Sequence, residues 1–570
     1  MKELSGRGGG LPFPGRYLYL VLSCLLILVS ACSRIGNYAV KRADRAAYGI
    51  IGETQENVLG KRSKSSIDPW EDETTRKLLT ESGRVDLDRD ASTTPSLLIS
   101  LNEAITAAIA NNRDYKSQRE ALYQQALSLT ETRRDYHYLF TGSATAGAAR
   151  TDQGRVEEWS GSRGFSLGVS KLLATGASMT LDFSHSFTRF FTGDPRPGAS
   201  NNLSFSIVQP LLRGAGSLVA RETLRQAERD MIYAVREFRR YQQDFIIDAA
   251  SRYYSILSSW DQLRNTWRNY NSVLDNLQKL EEFYGGGRAR GLEVDQARQA
   301  LLVAELGVTR SLNSYRRRLD EFKIFLGLPI DLDIGPDPGE LKRIADRGLV
   351  RPDMSLKVAI RSALEDRLDY KNTADRVEDS RRSVKIALQN FLPNLDANYS
   401  YNTSTGAEKD RVRLDFQDNT NQFSLDLGIP FDWTPRRNNY RNALINLDQA
   451  KRSLELFREQ LVLDVRDAWR NLEEARTEYR IQEQSVILAE RRVRQSSLFL
   501  QSGKASARDL IEAEDDLLEA RNSLTNALIS HTLQRLQFWN TIERLEIDEK
   551  GMWVESDRPM DMKPGGKAEE

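Results

Sequence analysis

Three short arrangements in the chain carry side chains of the kind that does chemistry. Ser502-Gly503-Lys504 sets a hydroxyl, a glycine and an amine side by side, as a phosphate-holding loop does. It lacks the upstream glycine and the following Ser or Thr that such a loop needs. Asp515-Asp516, shortly after Asp509 and Glu512, supplies paired carboxylates of the type used for general acid–base work. They stand in a stretch crowded with opposite charge, which describes a solvated helix face. Gly285-Gly286-Gly287 lies between two helical stretches rather than after a strand, and reads as a turn. The histidines His137, His185 and His531 are scattered and only two cysteines exist, which excludes a zinc cluster or a disulfide scaffold. No catalytic residue, metal site or cofactor is expected, and the chain does not read as an enzyme.

Composition points away from two further classes. Of 570 residues, 40% are hydrophobic and 28% charged, with a mean hydropathy of −0.53. That is too polar for a bundle of membrane helices and too apolar for a wholly disordered chain. Basic and acidic side chains both number 81, so the basic excess of a nucleic-acid binder is missing. The first 32 residues read as an address. Lys2, Arg7 and Arg16 form a basic start, Tyr17 to Val29 a short apolar run, and Val29-Ser30-Ala31 sets small residues before Cys32. The run is too short for a comfortable membrane span and reads as a secretory signal, 1–31. Its last four residues resemble a bacterial lipobox, which implies cleavage before Cys32 and acylation of that residue. Ser33, rather than Asp, then favours the outer membrane by resemblance to sorted lipoproteins. Cleavage would leave a net charge of −2 and no possible internal disulfide, since Cys24 departs with the signal.

The elements that must position anything else repeat along the chain. Residues 100–116 recur at an offset of 255 with eight of 17 positions identical, Ser100-Leu101 and Asp114-Tyr115-Lys116 matching Ser355-Leu356 and Asp369-Tyr370-Lys371. Further on the offset is 216. Apolar residues at 224, 227, 231, 234, 238, 241 and 245 return at 440, 443, 447, 450, 454, 457 and 461. The alternating spacing of three and four is a coiled-coil seam. It then breaks in the same way twice: Phe245, Ala249, Tyr253 and Ile256 are spaced like Leu461, Val465, Trp469 and Leu472, an 11-residue step that relaxes the supercoil. The pattern predicts long helices over 217–284 and 436–502, and in the first copy shorter ones over 102–135 and 292–326 whose lengths together come within one residue of the long one. Two short helices stacked end to end would lie alongside one long helix.

Between the helices the period drops to two. Leu203, Phe205 and Ile207 alternate with serines, as do Leu395, Ala397 and Tyr399 with polar residues, and Phe423, Leu425 and Leu427 with Ser424 and Asp426. Strands near ten residues long are expected, the length of a tilted membrane-barrel strand. The first copy holds about 35 extra residues here, read as an added hairpin within 163–190 that turns at Ala174-Thr175-Gly176.

Short helix, strands, long helix, short helix, twice over: with Gln209-Pro210-Leu211-Leu212-Arg213-Gly214, Phe325-Leu326-Gly327-Leu328-Pro329 and Phe391-Leu392-Pro393-Asn394-Leu395, residues 99–548 resemble the TolC-like outer-membrane efflux family. The resemblance implies a fold that is mainly α with a β-barrel portion, in a homotrimer sharing one outer-membrane β-barrel and one long periplasmic α-helical barrel. Physics agrees that one copy is insufficient, because four to six strands cannot close in lipid and narrow-seamed helices need neighbours. The expected organisation is a signal peptide over 1–31, a lipidated N-terminal extension or tether over 32–98 with one short helix, a first repeat over 99–334, a linker over 335–352, a second repeat over 353–548 and a disordered polar tail over 549–570.

The function implied is a passive exit duct of a tripartite efflux or secretion system, driven by an inner-membrane pump of the RND or ABC type through a periplasmic adaptor, with outer-membrane lipid as its surroundings and no nucleic acid involved. A non-conducting envelope scaffold is the alternative. Two turns are expected to form the adaptor-contacting tip: Gly287-Arg288-Ala289 and Gly503-Lys504-Ala505 match at offset 216, and glycine allows the positive φ of a tight turn. Asp509 and Glu512 are one helical turn apart on a single face. In the family, acidic residues at these positions of the second tip narrow the pore, so the resemblance implies a ring of carboxylates there. A Tyr and an Arg known to tie this tip shut in the family are replaced here by Leu500 and Ala505, so the closing links are expected to differ.

Overall fold

The computed structural model describes residues 15–62, 67, 73–81, 97–152, 157–192, 197–405, 416–548 and 552–554; for residues 15–35, 37, 152, 157, 197 and 554 it covers the backbone alone. In chain order the first half runs α1 (Gly15–Leu59), α2 (Glu73–Glu81), β1 (Leu97–Ile99), α3 (Leu101–Asn111), α4 (Arg113–Asp135), β2 (Leu139–Asp152), β3 (Glu157–Leu172), β4 (Ser178–Phe190), β5 (Pro197–Pro210), α5 (Ser217–Ala220), α6 (Glu222–Gly285) and α7 (Gly291–Leu326). The second runs β6 (Ile334–Pro336), α8 (Gly339–Arg347), α9 (Leu356–Asp366), α10 (Leu368–Gln389), β7 (Asn394–Thr405), β8 (Asn419–Gly428), α11 (Thr434–Gln501), α12 (Ala507–Thr541), β9 (Glu546–Ile547) and β10 (Trp553–Val554). The molecule is mostly helical with one antiparallel sheet of six strands, in the order β2-β3-β4-β5-β7-β8. Cys32 falls on the backbone span of α1. Its side chain lies outside the described residues, as do Lys2, Arg7 and most of 549–570.

The long helices form where the heptads place them. On α11 the inward positions run Leu461, Val465, Ala468, Leu472 and Ala475, closing on Ala359 and Ala363 of α9 and Phe538 of α12. Above them Phe457 stacks on Tyr370 of α10 and Tyr440 meets Phe391 edge-on. The break in the heptad sits at mid-height of α6, where the buried face widens to Ile246, Ala249, Ala250, Tyr253, Tyr254, Ile256 and Leu257. There α6 is enclosed by α3, α4, α7 and α12, and a broader apolar face is what several neighbours require.

Several expectations on the elements are corrected. The helix expected over 102–135 is two, broken at Asn112, whose backbone leaves the helix at ψ 132°. Its side chain accepts from Tyr115 N at 2.9 Å and donates to Phe325 O at 2.8 Å, so a cap and a tertiary bond offset the lost helical bonds. The second half breaks at Arg367, again 255 residues on. The helix expected over 217–284 is interrupted at Arg221. The strands span 10 to 16 residues rather than about ten, and β2 was not expected at all. The extension after Cys32 is not a loose tether over its described part. Ala47, Ile50 and Ile51 of α1 are buried against the main core, and the Tyr123 hydroxyl donates to Asp44 at 2.6 Å. In the segment expected as a linker, β6 pairs in parallel with β1, and the Tyr253 hydroxyl donates to Ile99 O at 2.9 Å.

Candidate functional site

The tip is built from two turns of one geometry. At the α6–α7 turn Gly287 has φ +69°, and Arg288 N donates to Phe283 O at 2.7 Å. At the α11–α12 turn Gly503 has φ +72°, and Lys504 N donates to Phe499 O at 2.8 Å. Both are Schellman endings, in which a left-handed residue turns the chain back onto the last helical carbonyls. A Cβ on either glycine would meet nothing within 4 Å, so conformation rather than space requires glycine. The fold brings the turns together. Arg288 donates to Gln501 O at 3.3 Å, and Leu277, Leu280, Val294, Ala297 and Ala507 form one small core with Ala289 and Leu500 packed against it. Ala505 N donates to Phe499 O at 3.3 Å, which keeps the second turn tight.

Asp509 and Glu512 lie exposed on the first turns of α12. Ser506 caps this helix: its hydroxyl and backbone N both donate to the Asp509 carboxylate, at 2.7 and 2.8 Å. Those hydrogen bonds, with Arg492 and Arg508 adding to them, hold the Asp509 carboxyl below its ordinary range. Within one chain the direction is therefore downward; repulsion around a ring would need further copies. Arg492 of α11 reaches across to Glu512 at 3.0 Å and to Asp516, and Arg521 pairs with Glu490 at 2.9 Å. These α11–α12 links were not foreseen. Arg492 sits in the run Glu490-Arg491-Arg492-Val493-Arg494, where nothing in the spacing distinguishes one arginine from its neighbours.

Between α6 and α12 a line of side-chain hydrogen bonds runs toward the tip, below the core that Leu528, Ile529 and Leu536 share with α6. Thr525 donates to Asp261 at 2.6 Å, Ser258 to Asn526 at 2.7 Å and Asn265 to Asn522 at 3.1 Å. Nearer the tip Asn276 donates to the buried Glu514, whose second oxygen has no partner. Burial pushes the Glu514 carboxyl up to about 7. Higher on α6 the contact with α10 is ionic instead: Arg236 pairs with Asp375 at 2.6 Å and Arg382 with Glu222 at 3.2 Å.

The sheet at the other end has two chemically distinct faces. Through the register, Phe140, Val169, Leu181, Phe205 and Tyr401 stand in one row across five strands, and Met179, Ile207, Tyr399 and Phe423 in the next. The opposite face carries Thr141, Gly168, Asp182, Ser204, Asn402 and Thr420 in a row, with Ser166, Ser184 and Asn202 beside it. Strict alternation with an apolar and a polar face is the pattern of a membrane barrel wall. Aromatic rings with cations over them stand on the apolar face toward its two ends, Arg163 on Phe187 at 4.7 Å and Lys171 on Tyr138 at 4.1 Å. No helix among the described residues is long and apolar enough to cross a membrane, and none among them groups acidic, Cys or His side chains as a metal site.

Known proteins place this architecture. Residues 359–545 match the family described as outer membrane efflux protein. Over that stretch the chain is similar to outer membrane efflux proteins. The fold is that of solved outer-membrane channels. The Campylobacter jejuni CmeC outer membrane channel is 16% identical, with 84% of this chain and 96% of that one covered and a TM-score of 0.57. The outer membrane protein VceC of Vibrio cholerae is 14% identical, with 78% and 95% covered and a TM-score of 0.57. The Neisseria gonorrhoeae MtrE outer membrane channel, solved in its open state, is 14% identical, with 81% and 95% covered and a TM-score of 0.55. At these identities the likeness is one of fold. No curated protein matches by sequence.

Proposed function

We propose that three copies of the chain assemble into a passive duct through the outer membrane, energised by an inner-membrane pump of RND or ABC type through a periplasmic adaptor. The observation that carries this reading is the two-faced sheet with an unpaired edge on either side, β2 and β8. Open edges are not tolerated in lipid, so the sheet must close on other copies. β2 leads away from the helices and β8 returns toward them, so β8 of one copy meets β2 of the next antiparallel, as an up-and-down barrel requires. The apolar rows then face lipid and the Ser, Thr and Asn rows face water. Below the sheet, Leu302 and Val303 of α7 are 66% and 64% exposed, and Ile481 and Leu488 of α11 are 60% and 59% exposed. Apolar stripes this open on single helices support neighbouring copies in the helical section too. The two copies of the element order read as an internal duplication, with boundaries near 99–334 and 353–548.

The purified protein should open single channels in planar bilayers, and its loss should raise drug sensitivity. A non-conducting scaffold would do neither, and that outcome would retire the duct. Two local assignments belong to the same reading. Cys32 is the lipid attachment site; Cys32→Ala should abolish lipid labelling and leave precursor, whereas a mature chain starting at another residue would contradict it. The turns at 287–289 and 503–505 are the adaptor contact. Changing Gly287 and Gly503 to Leu forces a left-handed side-chain residue at each turn, at roughly 1–2 kcal/mol each. Export and adaptor crosslinking should fall while the assembly stays in the membrane; unchanged crosslinking would count against the tip.

A further inference from the structure

The two halves of the chain give the sheet unequal shares. The second supplies one hairpin, β7–β8, and the first supplies four strands. The extra pair is identifiable. β2 ends at Asp152 on the far side of the sheet from the helices, and β5 starts at Pro197 on that same side. Taking out β3–β4 would leave β2 and β5 as an ordinary hairpin of unchanged direction. The inserted pair is nonetheless built into the fold. Its turn is fixed to the junction of β5 with the helices: Gly216 N donates to Thr175 O and the Thr175 hydroxyl to Gln209, both at 2.9 Å. A Cβ on Gly176, at φ +91°, would come within 2.6 Å of Gly214 O, so the two backbones touch only because this residue is glycine.

The pair also has the chemistry of the wall on both sides. Phe165, Leu167 and Val169 with Leu181 and Phe183 continue the apolar face. The other face is small and polar, Ser162, Gly164, Ser166, Gly168 and Ser170 against Thr188, Ser186, Ser184, Asp182 and Thr180. Its hydroxyls bond to strands outside the pair, Ser166 to Ser143 at 2.8 Å and Thr180 to Ser206 at 2.6 Å.

We propose that β3–β4 is an insertion in the transmembrane wall that widens the barrel beyond what four strands per copy would enclose. This rests on the three-copy reading above. With strands about 4.8 Å apart and tilted about 40°, each adds roughly 6 Å of circumference. Six strands from each of three copies make about 110 Å, a backbone diameter of about 35 Å. Four strands per copy would make about 75 Å, a third narrower. The short side chains of the inner face leave a bore of about 25 Å, room for two helices abreast at about 10–12 Å each.

The test is cysteine accessibility in intact cells, with a membrane-impermeant maleimide added from outside. Ser166→Cys should react and Leu167→Cys should not, although both react in denaturant. Equal reaction of the two, or protection of both, would overturn the placement of the pair in the wall. A deletion of residues 157–192 carrying Ser204→Cys then reads the bore against full-length Ser204→Cys with graded polyethylene-glycol maleimides. The largest reagent that enters should be smaller in the deletion; an unchanged limit would overturn the widening. If the deletion does not assemble, the Ser166 and Leu167 pair still decides the placement. Copy number, measured from the mass of the extracted assembly, is a separate result: a number other than three with the expected labelling would contradict the three-copy duct and leave the wall placement standing.

Discussion

Glu514 is a carboxyl inside a helix contact, and its surroundings give the tip a pH dependence. Asn276, Asp275 and Lys279 of α6 and Asp515 of α12 act on it, and burial raises it to about 7. A folded-state carboxyl raised above its unfolded value holds a proton that the unfolded chain has released, so it favours folding most below about pH 4.5 and loses that contribution as pH rises through about 7. Hydrogen exchange of α12 amides near the tip, corrected for intrinsic rates, should lose protection between pH 5 and 8, and Glu514→Gln should flatten the profile. Identical profiles would remove the residue from the account. His531 works in the opposite sense. Burial first, then Arg535 and Arg476, lower it to about 4, so its contribution is present above about pH 6.5 and is lost as pH falls toward 4. Asp509 and Glu512 remain the proposed constriction, two carboxylates per copy around one axis. Asp509→Asn with Glu512→Gln should sharply lower cation preference and block by multivalent cations in single-channel recordings. Persistence of both would move the constriction elsewhere. Because Arg492 already engages Glu512 and Asp516, Arg492→Ala should shift preference further toward cations.

Among the elements, the long helices were legible in the sequence because they bury a narrow stripe, and a narrow stripe writes a strict spacing. Leu461, Val465 and Leu472 are buried where the heptad and its break place them. The breaks at Asn112 and Arg367 were not legible, since the apolar period runs through both and the decisive partner of Asn112, Phe325 O, lies 213 residues away. β2 was missed for another reason. Leu139–Asp152 reads LFTGSATAGAARTD, where alanine and glycine take places that large apolar residues hold in β4 and β5. Lipid can face small residues, so the period is present without contrast. The docking of α1 was hidden in a charged stretch, although Ala47, Ile50 and Ile51 have helical spacing. Tyr48 and Tyr123 pack there with ring centroids 5.5 Å apart. Ile51→Ala should cost roughly 2–5 kcal/mol of that contact and expose α1 to protease before the rest of the chain. Equal protease resistance would mean that α1 contributes little. At the tip, the paired turns were readable because a left-handed position selects glycine; Glu514 and the α6–α12 seam were not, because Asn, Ser and Thr on a helix look alike whether they face water or a partner.

At the scale of the whole molecule, the proposed assembly rests on what one copy leaves open. Among the described residues both sheet edges are unpaired, one face of the sheet is apolar, and α7 and α11 carry exposed apolar residues on the helical section below. Each of these is a cost to one copy in water or lipid and is removed when copies close into a ring. Within a copy, α6 holds α10 by ion pairs near the sheet and α12 by side-chain hydrogen bonds toward the tip. The central claim is that copies of this chain enclose one continuous water-filled passage. Single-particle imaging of the assembly extracted from outer membranes tests it most directly. The account expects three copies around an axial lumen that runs from an eighteen-stranded barrel through a twelve-helix cylinder to a narrowed tip. A single copy, or an assembly whose sheets stay open with no axial lumen, would contradict it.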